Sequence, residues 1–195
     1  ISIESMNFDN QVDMFQNLEF VFDRDMVSDS LLNKWDSTRY LEFQPEINGR
    51  FQWTAARTLV FSPAVPFAPN TDYSLKIKPE IAKYLSDKKA PDDQEVKFHT
   101  PYLAVERSQT FWGIDDNDRN LIQLRILLHF NYPVDINTAK KYISVKLDGQ
   151  AVNAQLLSRE NGNEIDLWIA APTNGAEGKS LNVIIGKGMT CLGSA

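Results

Sequence analysis

The sequence predicts an all-β protein made of two sandwich modules in series. Three observations lead there. Apolar side chains recur at every second position, the period of a strand with one buried and one wet face. Turn signals interrupt these runs every 8 to 15 residues. Three apolar segments also return at a constant displacement of about 108 residues, the mark of two related units. Phe20-Val21-Phe22, Leu59-Val60-Phe61 and Leu75-Lys76-Ile77 correspond to Leu128-His129-Phe130, Leu167-Trp168-Ile169 and Val183-Ile184-Ile185.

Taken in order, Leu18, Phe20 and Phe22 alternate with polar neighbours and lead to Asp25-Met26, where a last apolar anchor ends the strand. Residues 28–35 read as a short helix behind Ser28, with Leu31, Leu32 and Trp35 on one face. Leu41 and Phe43 alternate again. Asn48-Gly49 reads as a tight hairpin that delivers Phe51 and Trp53 to the facing strand. Residues 59–63 form the next strand and end at Ser62-Pro63, and Phe67 in the loop that follows reads as a plug. Tyr73, just after Pro69-Asn70-Thr71-Asp72, has the position of a corner tyrosine whose hydroxyl ties a backbone turn. Residues 80–85 make a second short helix, with Ile81, Tyr84 and Leu85 together.

The strand at 95–99 closes the first module, and Pro101, which cannot donate to a ladder, sets the boundary. The modules are thus expected at 1–100 and 101–195. In the second, strands surround Phe111 and Leu124, and Pro133-Val134 takes the anchoring place of Asp25-Met26. Asp148-Gly149, Asn161-Gly162-Asn163 and Asn174-Gly175 make turns. The counterpart of 95–100 falls past Ala195, so either residues 189–192 supply a shortened last strand or the module is cut before it. The chain begins at Ile1 without a leader, as a processed protein or an excised piece does.

Composition excludes several functions. With 43% apolar and 24% charged residues the chain is ordinary globular material, and no stretch approaches the ~20 apolar residues of a membrane span. The net charge of −6 is scattered without a basic stripe, which argues against nucleic acid as a partner. The lone Cys191 cannot form an internal disulfide.

Candidate chemistry is sparse, and the expectation is no catalytic, cofactor-binding or metal site. His99 and His129 lie in strand-like runs without a serine elbow or a cysteine at ligand spacing, and read as structural or surface residues. Asp115-Asp116-Asn117-Asp118-Arg119-Asn120 begins like a calcium loop. Leu121 replaces its glycine and Leu127 its bidentate glutamate, so it reads as a solvated turn. Asp87 and Asp92-Asp93 beside Lys88-Lys89 read as solvated loop charges. Among the tryptophans, Trp53 is in phase with Phe51 and belongs to the core. Trp168 is out of phase with Leu167 and Ile169 and reads as an exposed ring.

The series Phe20-Val21-Phe22 to Met26, Pro45-Glu46-Ile47-Asn48-Gly49-Arg50-Phe51-Gln52-Trp53, Arg57-Thr58-Leu59-Val60-Phe61-Ser62-Pro63 and Pro69-Asn70-Thr71-Asp72-Tyr73 resembles the bacterial immunoglobulin-like domain found near the N-terminus of bacterial alpha-2-macroglobulins. The second half, with Phe130-Asn131-Tyr132-Pro133-Val134-Asp135, is similar to the next, macroglobulin-type domain of those proteins. The resemblance implies two tandem immunoglobulin-like sandwiches forming a non-catalytic framework region of a protease-trapping inhibitor. It also implies a periplasmic or cell-surface location, lipid-anchored through an upstream segment. The implied partners are other domains of the same parent chain, with target proteases for the parent. Cys191-Leu192-Gly193-Ser194 departs from the family's thioester Cys-x-Glu-Gln, so the implied cofactor is none. The same domain type occurs in cell-surface adhesion and glycan-binding proteins, and an accessory module of a secreted hydrolase is a third reading.

Overall fold

A computed structural model describes residues 1–87, 89–115, 118–170 and 178–195. The chain divides into two compact units, 1–102 and 103–194. Each is built from antiparallel strands, and none of the described helices is long and apolar enough to cross a membrane.

In the first unit, β1 (Ile3–Met6), β2 (Leu18–Phe22), β3 (Trp35–Asp36), β5 (Gly49–Ala55) and β6 (Thr58–Pro63) form one sheet, in the order β1-β2-β6-β5-β3. The facing sheet is β4 (Leu41–Gln44), β7 (Asp72–Ile77) and β8 (Glu95–His99), in the order β4-β7-β8. Alternation decides what lies between them. Leu18, Phe20, Phe22, Phe51, Trp53, Leu59 and Phe61 come from the first sheet, and Leu41, Phe43, Tyr73, Leu75 and Phe98 from the second; all are buried in one core. Phe43 meets Phe61 across the sandwich with ring centroids 4.6 Å apart.

The Asn48-Gly49 reading is corrected. β4 and β5 belong to different sheets, so the segment between them is a crossover and not a hairpin. Gly49 has no positive φ. A Cβ there would lie 2.4 Å from the Phe61 ring and 2.5 Å from the Ser62 carbonyl, so the glycine serves close approach. The hairpin that serves Phe51 and Trp53 is instead β5 to β6, turning at Ala56-Arg57.

Both short helices are smaller than their spacing suggests. Residues 28–35 contribute only a 3-10 turn, Asp29–Leu31, because Asn33 adopts a φ of 57° and gives its N–H to the Trp53 carbonyl. Trp35 is thereby released into β3 and is about half exposed. Pro79–Ala82 is likewise a 3-10 turn that buries Ile81 and Ala82 and leaves Tyr84 partly exposed.

In the second unit, β9 (Val105–Ile114), β10 (Ile122–Val134), β13 (Gln155–Leu156) and β14 (Gly162–Ala170) form the sheet β13-β14-β10-β9. β11 (Ile143–Leu147), β12 (Gln150–Val152) and β15 (Leu181–Ile185) form the sheet β12-β11-β15. The single α-helix among the described residues, α1 (Ile136–Tyr142), is capped by Asp135, whose carboxylate accepts the Asn137 N–H at 2.9 Å. Asp148 and Gly149, with φ of 53° and 80°, make the tight β11 to β12 hairpin.

The internal repeat has a structural counterpart. Phe20 pairs with Leu59 in the first unit, and Leu128 pairs with Ile165 in the second. One strand is thus displaced by 108 residues and its partner by 106, a two-residue slip that keeps every side chain on its face. Met26 and Val134, the expected anchors, are both buried. Ala171 and the Asn174-Gly175 turn lie outside the described residues.

Candidate functional site

Tyr73 and Asp72 open β7, and His99 ends β8 opposite Asp72 in register. The chain then turns through Pro101, so Tyr102 lies flat on the His99 ring, with centroids 4.2 Å apart and planes 7° from parallel. The Tyr102 hydroxyl donates to Asp72 at 2.6 Å, and this bond raises its pKa. His99 Nδ1 lies 2.8 Å from the Thr100 carbonyl. A carbonyl only accepts, so Nδ1 carries the proton. These residues, with Asn10, Gln44 and Lys97, edge an open groove of about 530 Å³.

Below the groove Tyr73 makes the expected corner. Its hydroxyl accepts the Ala68 N–H at 2.9 Å, while burial raises its pKa. The ring meets Phe67, which is fully buried and fills the loop as a plug.

A second polar cluster was not legible from spacing. Asp36 on β3 accepts from the Tyr40 hydroxyl at 2.6 Å, the Thr38 N–H at 2.8 Å and the Tyr84 hydroxyl at 3.2 Å, with Lys83 Nζ 3.5 Å away. Burial opposes its ionisation, but the hydrogen bonds from Tyr40 and Thr38 and the charge of Lys83 prevail and hold the carboxyl far below the usual carboxylate range. Burial and the Asp36 bond push the Tyr40 hydroxyl strongly upward. A carboxylate locked in its charged form by these partners is a poor proton shuttle and a good clamp. It ties β3, the 36–40 segment and the second 3-10 turn together.

His129 stands apart, on the outer face of β10 between Glu164 at 3.5 Å and Glu106 at 3.9 Å. Among the described residues neither histidine ring is hydrogen-bonded to a hydroxyl or thiol, and the two belong to different units. Of the acidic run, Asp115 accepts the Asp118 N–H at 3.0 Å and is also bonded by the Gln123 amide, while Asp118 accepts the Asn120 N–H at 3.0 Å. Among the described residues these bonds link the segment between β9 and β10 to itself and to Gln123 on β10. Asp116 and Asn117 lie outside the described residues, as does Lys88. Among the described residues, no three His, Cys, Asp or Glu side chains are grouped as a metal site would need.

The loop acids pair locally, Asp87 with Arg24 at 3.6 Å and Asp93 with Lys76 at 3.1 Å. Cys191 is buried and burial raises its thiol pKa, the opposite of what a nucleophile requires. Its bridge to Val134 brings residues 189–192 beside the end of β10 and not onto β15. Trp53 is buried, as its phase with Phe51 predicts. Trp168 is only half-buried, and Trp112 and Trp35 are more open, at 52% and 49% exposure.

The profile of the bacterial Ig-like domain matches residues 2–100. An alpha-2-macroglobulin homologue from Yersinia pestis is 25% identical over an alignment 157 residues long that covers 76% of this chain. The chain spans 8% of that relative's length. Among solved structures, an L,D-transpeptidase from Mycobacterium tuberculosis H37Rv aligns with a TM-score of 0.34 at 9% identity, over 64% of this chain and 48% of that one. L,D-transpeptidase 3 of Mycobacterium tuberculosis, in complex with a faropenem-derived adduct, aligns with a TM-score of 0.35 at 8% identity, over 89% and 78%.

Proposed function

Because the chain belongs to the bacterial Ig-like domain family, we propose that it is a non-catalytic framework region of a larger, alpha-2-macroglobulin-like protein that traps proteases. The observation that carries this reading is the likeness to the macroglobulin homologue, which runs over 76% of the chain and so extends beyond the first unit. The chemistry agrees in kind. The polar side chains that are best organised, Asp36 with Tyr40 and Tyr73 with Ala68, tie backbone segments together. In this reading the partners are neighbouring domains of the parent chain, and the proteases are partners of the parent. The parent works in the periplasm or at the cell surface, held there by a lipid anchor on another segment.

The test is an activity panel on residues 1–195 with peptide, ester and glycan substrates and with added endoproteases. The expected result is no turnover and no inhibition by this region alone. Reproducible hydrolysis that is lost in His99→Ala or His129→Ala would overturn the reading.

A second reading, a surface adhesion or glycan-binding module, is favoured by one observation: Trp112 and Phe111 present exposed rings on β9. Saturable binding to a glycan array, lost in Trp112→Ala, would favour it over the framework reading.

A further inference from the structure

Among the described residues, three buried side-chain nitrogens make no hydrogen bond: Arg24 Nε, His129 Nδ1 and Trp53 Nε1. The first two each lie 3.5 Å from a carboxylate oxygen, on Asp23 and Glu164. Trp53 is 2% exposed, and its ring is wedged against Phe22 and Tyr40, with both centroids 5.8 Å away. The Tyr40 hydroxyl comes near the indole, but hydrogen-bonding geometry is not met, and that hydroxyl gives its own proton to Asp36. A buried N–H without an acceptor is costly, and such a group in a folded protein calls for an acceptor from outside the chain.

Trp53 also lines a pocket of about 250 Å³, room for about eight waters at ~30 Å³ each. Its walls include the rings of Trp35 and Tyr84, 49% and 38% exposed, and Lys34, Lys83 and Asp36 stand around it. The hydrogen-bonding capacity left over there is all of one kind. Asp36 is filled: one oxygen accepts the Thr38 N–H, and the other accepts the Tyr40 and Tyr84 hydroxyls, with Lys83 3.5 Å away. Lys34 gives one proton to the Ser30 carbonyl at 2.6 Å, and Lys83 gives one to the Thr38 hydroxyl at 2.9 Å. An ammonium carries three protons, so both lysines have one to spare, as does the indole. The pocket therefore offers donors and two positive charges against one negative, beside two aromatic rings.

We propose that this pocket binds a small organic anion, a carboxylate carried on a six-membered ring. The carboxylate accepts from the Trp53 indole N–H and from Lys34 and Lys83, and the ring packs on Trp35 and Tyr84. The room and the aromatic walls select the ring, since a bare carboxylate would leave most of the space to water. The surplus of donors and of positive charge selects the acid over a neutral amide or alcohol. Aromatic acids and sugar acids share this chemistry. The site lies wholly in the first unit and does not depend on the role of the parent chain.

The probes are benzoate and glucuronate, each titrated into the 195-residue chain at constant ionic strength up to about 10 mM, ten times the weak end of the affinity scale. Acetate and benzamide are the controls. The readout is the nitrogen–proton spectrum of the 4 tryptophan indoles, assigned through Trp35→Phe, Trp112→Phe and Trp168→Phe. The Trp53 indole proton is expected to move downfield saturably, while those of Trp112 and Trp168, in the other unit, stay put. At least one ring acid binds about tenfold more tightly than acetate or benzamide, and the stronger of the two identifies the source. Trp35→Ala weakens that binding about tenfold and Lys34→Met about fivefold, whereas Lys146→Met on β11 leaves it within about twofold. Lys34 and Trp35 are both exposed, so these variants are expected to fold with nearly unchanged melting. A Trp53 signal that neither ring acid moves would overturn the proposal. So would acetate binding as tightly as both, Trp35→Ala and Lys34→Met without effect, or a Trp53 indole proton that contacts only a bound water, which would assign the pocket to solvent.

Discussion

Replacing Gly49 with alanine probes the crossover that distinguishes the observed fold from a hairpin meander. The new Cβ would lie 2.4 and 2.5 Å from two carbons of the Phe61 ring and 2.5 Å from the Ser62 carbonyl oxygen. Carbon atoms settle at about 3.5–4.0 Å, so relief needs a shift of about an ångström. Neither neighbour is free to give it. Phe61 is 1% exposed and wedged between Phe43 and Phe51, with centroids 4.6 and 5.0 Å away, and the carbonyl belongs to the β6 backbone. Overpacking of this kind costs about 1–3 kcal/mol, and the backbone clash puts Gly49→Ala near the upper end. For a unit of this size that lowers Tm by roughly 10–20 °C. Urea unfolding followed through buried Trp53 measures it. Gly49→Asn sharpens the contrast, since asparagine relieves a positive-φ requirement but worsens a steric one. It is therefore expected to be at least as damaging as alanine. A Gly49→Ala variant within about 0.5 kcal/mol of the parent chain, or an asparagine variant milder than alanine, would refute the close-approach argument.

Three further outcomes are expected. Asp36→Asn should cost about 1–2 kcal/mol at pH 7, the value of hydrogen bonds to a charged group reduced for partial exposure. Because the folded-state pKa of Asp36 is depressed, its contribution is present above about pH 4 and is lost as pH falls further. The variant's urea midpoint should accordingly depend less on pH below about 4 than the parent's. Tyr73→Phe leaves the Ala68 N–H without its acceptor and should cost about 1–2 kcal/mol in urea unfolding, with the far-ultraviolet spectrum unchanged. Phe130→Ala opens the second core at a residue 1% exposed and should cost about 3–5 kcal/mol there, while the unfolding midpoint reported by Trp53 stays put.

What was legible in the sequence follows one physical rule. Where a strand has one buried and one wet face, its alternation writes the burial directly, and Phe20, Phe51, Trp53, Leu75 and Phe98 all lie where their phase puts them. The corner at Tyr73 and the Asp148-Gly149 hairpin were readable because each rests on local backbone chemistry. Asn48-Gly49 misled because that dipeptide also occurs where the backbone must merely pass close to a ring, and local sequence does not state which strand comes next in space. Residues 1–17 lack alternation, yet Ile1, Ile3, Phe8 and Val12 enter the first core one by one along an irregular path. α1 carried a signal that went unused: Asp135 as cap, Ile136 and Ala139 three apart, and Lys140-Lys141 in the last turn. The polar cluster at Asp36 and the stack of Tyr102 on His99 join residues distant from one another or across a turn, and spacing alone does not reveal them.

The proposed role of residues 1–195 is that of framework in a larger trap for proteases. The most direct measurement sets the intact parent polypeptide beside residues 1–195 alone, each incubated with an endoprotease, and follows cleavage of a large protein substrate and of a small peptide. The expected result is that the parent protects the large substrate while the small one is still cut, and that residues 1–195 alone protect neither. Inhibition or turnover by residues 1–195 alone, or a parent that protects nothing, would contradict it.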